Sequence, residues 1–251
     1  MDFDFLGGAF LLFVLVGFLA QLVDGALGMA YGLVSSTVLL SLGVAPATAS
    51  AAVHAAEVVT TGISGASHAY HRNVDKRLFL SLAIPGAIGG AIGAYFLANV
   101  PGDRIKPWVL AYLIVLGVVV LVRAFGRLKP REVKRAGVLG FVGGLLDAVG
   151  GGGWGPITTS TLLARGRDPR TAIGSVNAAE FVVTVAISAV FFTQMGPTHV
   201  NVVAGLLVGG AIAAPLAAWL VRHLPARTVM ASVAIVVLAL SGWQLSRVFL
   251  G

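Results

Sequence analysis

The chain has no cysteine among its 251 residues, which excludes disulfides, thiolate metal sites and cysteine nucleophiles. Charge is scarce as well: 11% of the residues are Asp, Glu, Lys or Arg, against 57% hydrophobic ones. A soluble domain of this size could not cover its surface with so few polar groups. No H-E-x-x-H motif and no Ser/His/Asp arrangement suited to catalysis is present, so neither an enzyme nor a cofactor is expected. The opening residues, MDFDFLGG, are acidic and lack the positive n-region of a cleaved signal peptide. The first hydrophobic run is therefore expected to be retained.

What the chain does have is one apolar run after another from Leu6 to Leu250, separated by short polar or Gly/Pro-rich pieces. Runs near 20 residues suit membrane-spanning helices. The 33 glycines suit close helix approach in lipid, or breaks in helices. The pattern predicts helical segments at 6–23, 26–42, 47–69, 78–98 and 105–125, then at 136–149, 154–164, 171–193, 200–221 and 229–249. The expected fold is an all-helical integral membrane protein of ten hydrophobic segments. Residues 1–125 would form a first repeat, 126–135 a basic cytoplasmic linker and 136–251 a second repeat.

The repeat itself is legible. Gly17–Val58 aligns without a gap to Gly140–Phe181, with 16 of 42 positions identical, and Asp24 and Glu57 recur as Asp147 and Glu180 at the same spacing. Five segments per copy is an odd number, so the copies should be inverted. Placing the N-terminus outside puts every Lys and Arg except Arg104, Lys106 and Arg247 in cytoplasmic connections, as the positive-inside rule requires. Both termini would then be extracytoplasmic. The net charge of +7 reads as a topology signal, with lipid rather than nucleic acid as the partner.

Two Gly-rich breaks begin with the repeated aspartates: DGALGMAYG (Asp24 to Gly32) and DAVGGGGWG (Asp147 to Gly155). The short segments beside them could be full spans or re-entrant hairpins. A helix restarting after such a break presents unsatisfied N–H donors, an anion site. Gly28, Tyr31, Gly32, Ser35 and Ser36 in the first copy, and Gly151, Gly152, Trp154, Gly155, Thr158 and Thr159 in the second, are candidate substrate contacts. An alternative is that the glycines only allow packing and the aspartates cap the restarting helices. The following helices carry His54, Glu57 and Thr61 on one face, matched by Asn177, Glu180 and Thr184. His54 and Asn177 join the candidate contacts. Asp24, Glu57, Asp147 and Glu180 are candidate coupling acids, with protons as the coupling ion, or structural acids that hold the breaks in shape. His68 and His71 read as interfacial, and Tyr95, Trp108, Trp219 and Trp243 as interface anchors or packing residues. No metal site is assigned to the anion reading; in a rival reading the four acids ligate Na⁺ or a divalent cation.

These two hairpins, each followed by a Pro-x-Thr-Ala helix bearing a glutamate (PATASAAVHAAE and PRTAIGSVNAAE), resemble the TauE/SafE family of sulfite exporters. The resemblance runs from about Gly17 to Val248. It implies a secondary carrier in a bacterial-type inner membrane for a small sulfur-containing anion, sulfite or an organosulfonate, with sulfite export by alternating access the leading expectation.

Overall fold

The computed structural model describes residues 8–27, 29–125, 135–197, 200–220 and 226–250. The linker expected at 126–135, save Arg135, and the candidate Gly28 lie outside the described residues. Every regular element described is helical: α1 Gly8–Leu27, α2 Tyr31–Ser41, α3 Pro46–Tyr70, α4 Lys76–Asn99, α5 Gly102–Phe125, α6 Ala136–Gly150, a π-turn Gly155–Thr159, α7 Ser160–Ala164, α8 Pro169–Met195, α9 Val200–Leu220 and α10 Ala226–Leu250.

Local chemistry sets many of these limits. Pro46 and Pro169 begin α3 and α8, where a missing N–H is harmless. Gly43 and Gly166 take positive φ of 86° and 78° just after α2 and α7, reversing the chain at matching points. Asp75 caps α4 by accepting from the N–H groups of Arg77 and Leu78 at 2.9 and 3.1 Å. Asp168 caps α8 through the Thr171 N–H at 3.0 Å, and that bond holds its carboxyl below the usual range. The expected helix at 26–42 starts later, at Tyr31, because the Asp24 carboxylate collects the Ala30 and Tyr31 N–H groups there. The run at 154–164 opens as a π-turn. Pro156 supplies no donor to it, and the Thr158 and Ser160 hydroxyls reach back to the carbonyls of Trp154 and Pro156.

Lengths separate the helices into classes. Four described helices, α4, α5, α8 and most of α10, are long and apolar enough to cross a membrane. At 1.5 Å per residue the 11 residues of α2 reach only about 16 Å, half of a hydrocarbon core of about 30 Å. The π-turn and α7 together are no longer.

On α4 the large side chains of Ile84, Ile88, Ile92 and Phe96 are exposed, while Gly86, Gly89, Gly90 and Gly93 face inward. Such an outward apolar stripe is the reverse of a soluble helix. The inward glycines are needed. A Cβ on Gly144 of α6 would lie 2.9 Å from the Gly86 carbonyl carbon, and one on Gly93 would lie 2.6 Å from the Leu145 oxygen. The paired positions 82 with 140 and 86 with 144 make α4 and α6 parallel. The helix pair α1 and α9 repeats this device: Gly17 meets Leu206, and Gly209 meets Val14 and Phe18. In the middle, α3 lies against α8. Thr61 sits beside Thr184, their hydroxyls 3.4 Å apart, and Gly65 sits against Ala178; these two helices therefore run antiparallel. Helices α5 and α10 also pack together, Gly117 against Leu238.

Candidate functional site

Both breaks are built the same way. Asp24 Oδ1 accepts from the N–H groups of Ala30 and Tyr31 at 2.7 and 3.1 Å. Asp147 Oδ1 accepts from the Trp154 N–H at 2.9 Å, and Trp154 aligns with Tyr31. Each aspartate therefore satisfies donors of the helix that restarts seven residues later. The second break turns through Gly151 and Gly152, at φ of 68° and 148°, values that favour glycine.

The two breaks touch. A Cβ on Gly32 would stand 2.7 Å from Gly152 Cα and 3.1 Å from the Gly151 oxygen. The Ser36 hydroxyl donates to the Gly151 carbonyl, tying α2 to the second break. Where they meet, a cavity of about 370 Å³ opens. The first break gives it Asp24, Tyr31 and Gly32, and the second gives Asp147, Gly153, Trp154 and Gly155. Helix α3 contributes Glu57, Thr60, Thr61, Ser64 and His68, and α8 contributes Ile173, Asn177 and Glu180. These α3 positions continue one helix face.

Polar contacts fix most of this lining. The Tyr31 hydroxyl donates to the Leu206 carbonyl at 3.2 Å, and the Trp154 Nε1–H to the Val176 carbonyl at 3.2 Å. Both aromatic residues thus spend their polar handles on the neighbouring helices α9 and α8 and leave ring surface for the cavity. Asn177 donates to the Ile173 carbonyl at 3.0 Å and accepts from the Ser64 hydroxyl at 3.2 Å. Glu57, 4% exposed, takes a hydrogen bond from the Gly32 N–H, while its Oε2 has no partner. Four carboxyls line the cavity, and no Lys or Arg does so among the described residues.

Several candidates fall elsewhere. Ser35, Ser36, His54, Gly151, Gly152, Thr158 and Thr159 are buried around the breaks but do not line the cavity. Thr37 and Thr158 bond back to the carbonyls of Leu33 and Trp154, and Ser36 bonds across to the Gly151 carbonyl, so these three hydroxyls are engaged within the protein. The hydroxyls of Ser35 and Thr159 are buried without a partner. His54 is held between Ser50 and Asp147: its Nδ1 lies 2.8 Å from the Ser50 carbonyl oxygen and its Nε2 3.2 Å from Asp147 Oδ2. The Ser50 hydroxyl donates to the Ala148 carbonyl at 2.6 Å.

Other lining residues were not singled out in the sequence. Gln21 lies one turn before Asp24 on α1, and Ser64 continues the Glu57–Thr61 face by one turn; helical spacing from the named acids would have found both. Gly153, inside the quadruple-glycine run, carried no signal of its own. His68, expected at the interface, stands at the far end of the cavity lining. Tyr95, Trp108 and Trp243 are exposed, with the Arg247 guanidinium 5.5 Å from the Trp243 ring, as anchors would be. The side chain of Trp219 is outside the described set.

The family model described as Sulfite exporter TauE/SafE matches residues 13–245. A Bacillus subtilis protein, "Probable membrane transporter protein YtnM", is 47% identical over 223 residues, covering 84% of this chain and 74% of that protein. No solved structure matches.

Proposed function

The chain belongs to the Sulfite exporter TauE/SafE family, and from that membership we propose that this multi-pass membrane transporter carries a small sulfur-containing anion, sulfite or an organosulfonate, bound where its two breaks meet. The observation that carries this reading is the cavity of about 370 Å³ onto which both breaks converge. Its volume suits a small ligand. Its lining offers the second N–H of the Asn177 amide and the ring faces of Tyr31 and Trp154, while the hydroxyls of Thr60 and Thr61 donate to the Glu57 carbonyl and that of Ser64 to the Asn177 amide oxygen.

Electrostatics decides what must travel with the anion. At an effective dielectric of about 20, one ionised carboxylate about 5 Å from a monoanion costs about 3 kcal/mol. Two would weaken binding about 10⁴-fold. The anion is therefore accepted with protons on Glu57 and Glu180, which makes protons the coupling ion. The aspartates contribute less to this balance, being engaged as caps.

The matching order of elements in residues 8–125 and 135–250 and the antiparallel crossing of α3 on α8 support two inverted repeats. Rocking of one against the other would expose the cavity alternately to each side. The basic connections would then face the cytoplasm of an inner membrane, with the termini outside and export the favoured direction.

The cation reading has support in the four acids, yet among the described residues no three His, Asp or Glu side chains gather as metal ligands. Proteoliposomes separate the two. Radiolabelled sulfite should flow through the wild-type protein and not through Asn177→Leu of equal thermal stability. Saturable sodium or divalent flux without sulfite flux would transfer the assignment to cations.

A further inference from the structure

We propose that His54 and Asp147 form a one-sided latch that holds a single proton when closed. The Ser50 carbonyl can only accept, and it lies 2.8 Å from His54 Nδ1. The Ser50 hydroxyl oxygen also lies 3.2 Å from Nδ1 but cannot donate to it, because its hydrogen goes to the Ala148 carbonyl at 2.6 Å. Nδ1 therefore carries a hydrogen. In a neutral imidazole Nε2 is then a bare lone pair, and it faces Asp147 Oδ2 at 3.2 Å, within hydrogen-bond range.

An ionised carboxylate also offers only lone pairs. One more proton has to lie between the two, on Nε2 as an imidazolium–carboxylate pair or on Oδ2 as a carboxylic acid. Both assignments add the same single proton to the closed state. With His54 at 0% and Asp147 at 2% exposure, the contact is shielded from bulk water. Losing the proton leaves two buried acceptors opposed, and the seam between α3 and the second break opens.

Position makes the latch directional. Along α3, Ser50 and His54 lie before Glu57, and the cavity-lining Ser64 and His68 lie after it. The latch thus closes the end of the cavity away from His68, with Asp147 itself in the lining. The other copy has no equivalent: Asn177 stands where His54 does and is bonded to Ile173 and Ser64. An amide cannot gain a proton at physiological pH. A proton is therefore tied to opening on one side only. The titratable groups that face the pair are Glu57 on α3, Glu180 on α8 and Tyr112 on α5, whose ring lies beside Gly150 and Gly153.

Histidine ¹⁵N NMR of the purified full chain from pH 5 to 9 reads the pair directly, with His54→Asn identifying the signal. The expected spectrum has a protonated Nδ1 and a proton shared at Nε2, changed in Asp147→Asn. A bare Nδ1, or a neutral imidazole beside an ionised Asp147 across that range, would overturn the latch.

The transport arm rests on the anion reading above. Under a gradient of one pH unit, the ratio of sulfite accumulation driven by that gradient to sulfite counterflow at equal pH should fall about tenfold in His54→Asn and in Asp147→Asn, as the loss of one linked proton per opening requires. The fall should persist in a Glu57→Gln background. An unchanged ratio in both variants refutes the latch. Absence of sulfite flux in the wild-type protein counts against the substrate alone, and the spectrum then decides.

Discussion

Gly152→Ala tests the contact between the two breaks most sharply. The residue has φ of 148°, a region L-side chains rarely adopt, and an added Cβ would stand 2.6 Å from Gly32 Cα and closer still to the Gly32 carbonyl carbon and Leu33 N. All three are backbone atoms, so no side chain can swing aside. The strained conformation costs about 1–3 kcal/mol, and overpacking adds about 1–3 kcal/mol.

Gly43→Ala separates these contributions. It also has positive φ, 86°, but nothing lies within 4 Å of its added Cβ, so only the backbone penalty applies. In detergent thermal unfolding, Gly152→Ala should be less stable than Gly43→Ala by about 1–3 kcal/mol, and its substrate flux should collapse while that of Gly43→Ala survives. If both variants unfold together and transport alike, the breaks do not touch as described.

Asp24→Ala removes the acceptor of two N–H groups at the start of α2 and should cost about 1–3 kcal/mol by the same unfolding assay, Asp24→Asn clearly less. Thr159→Val replaces a buried hydroxyl that has no partner and does not line the cavity; stability within about 1 kcal/mol of wild type and retained flux are expected. Asp75→Ala strips the α4 cap and should lower stability by about 1 kcal/mol. Asp168 contributes a small stabilisation present above the usual carboxylate range and lost as pH falls through its lowered pKa; the acid side of the unfolding curve should flatten slightly in Asp168→Asn.

Much of this arrangement could be read from residues, and the unread part has physical causes. The gapless repeat located both breaks, both glutamates and the prolines that start α3 and α8, because each depends on a residue type with one local use. What the hydroxyls bond to was not legible in the same way. Ser36 and Thr158 look like ligand contacts in a linear pattern, yet a helix returns such groups to carbonyls or to the facing break. Nor could the sequence tell which face of α4 looks outward, since Ile88 and Gly89 sit in equally apolar surroundings until α6 packs on the glycines. The partner of His54 lies 93 positions away. Only the folded chain brings Asp147 to it.

Equilibrium binding of radiolabelled sulfite to the purified protein, wild type beside Asn177→Leu, probes the shared cavity most directly. The account predicts saturable binding by the wild type that strengthens as pH falls, is not displaced by sodium, and is lost in the variant. Equal binding by both proteins, or saturable sodium binding with none of sulfite, would contradict it.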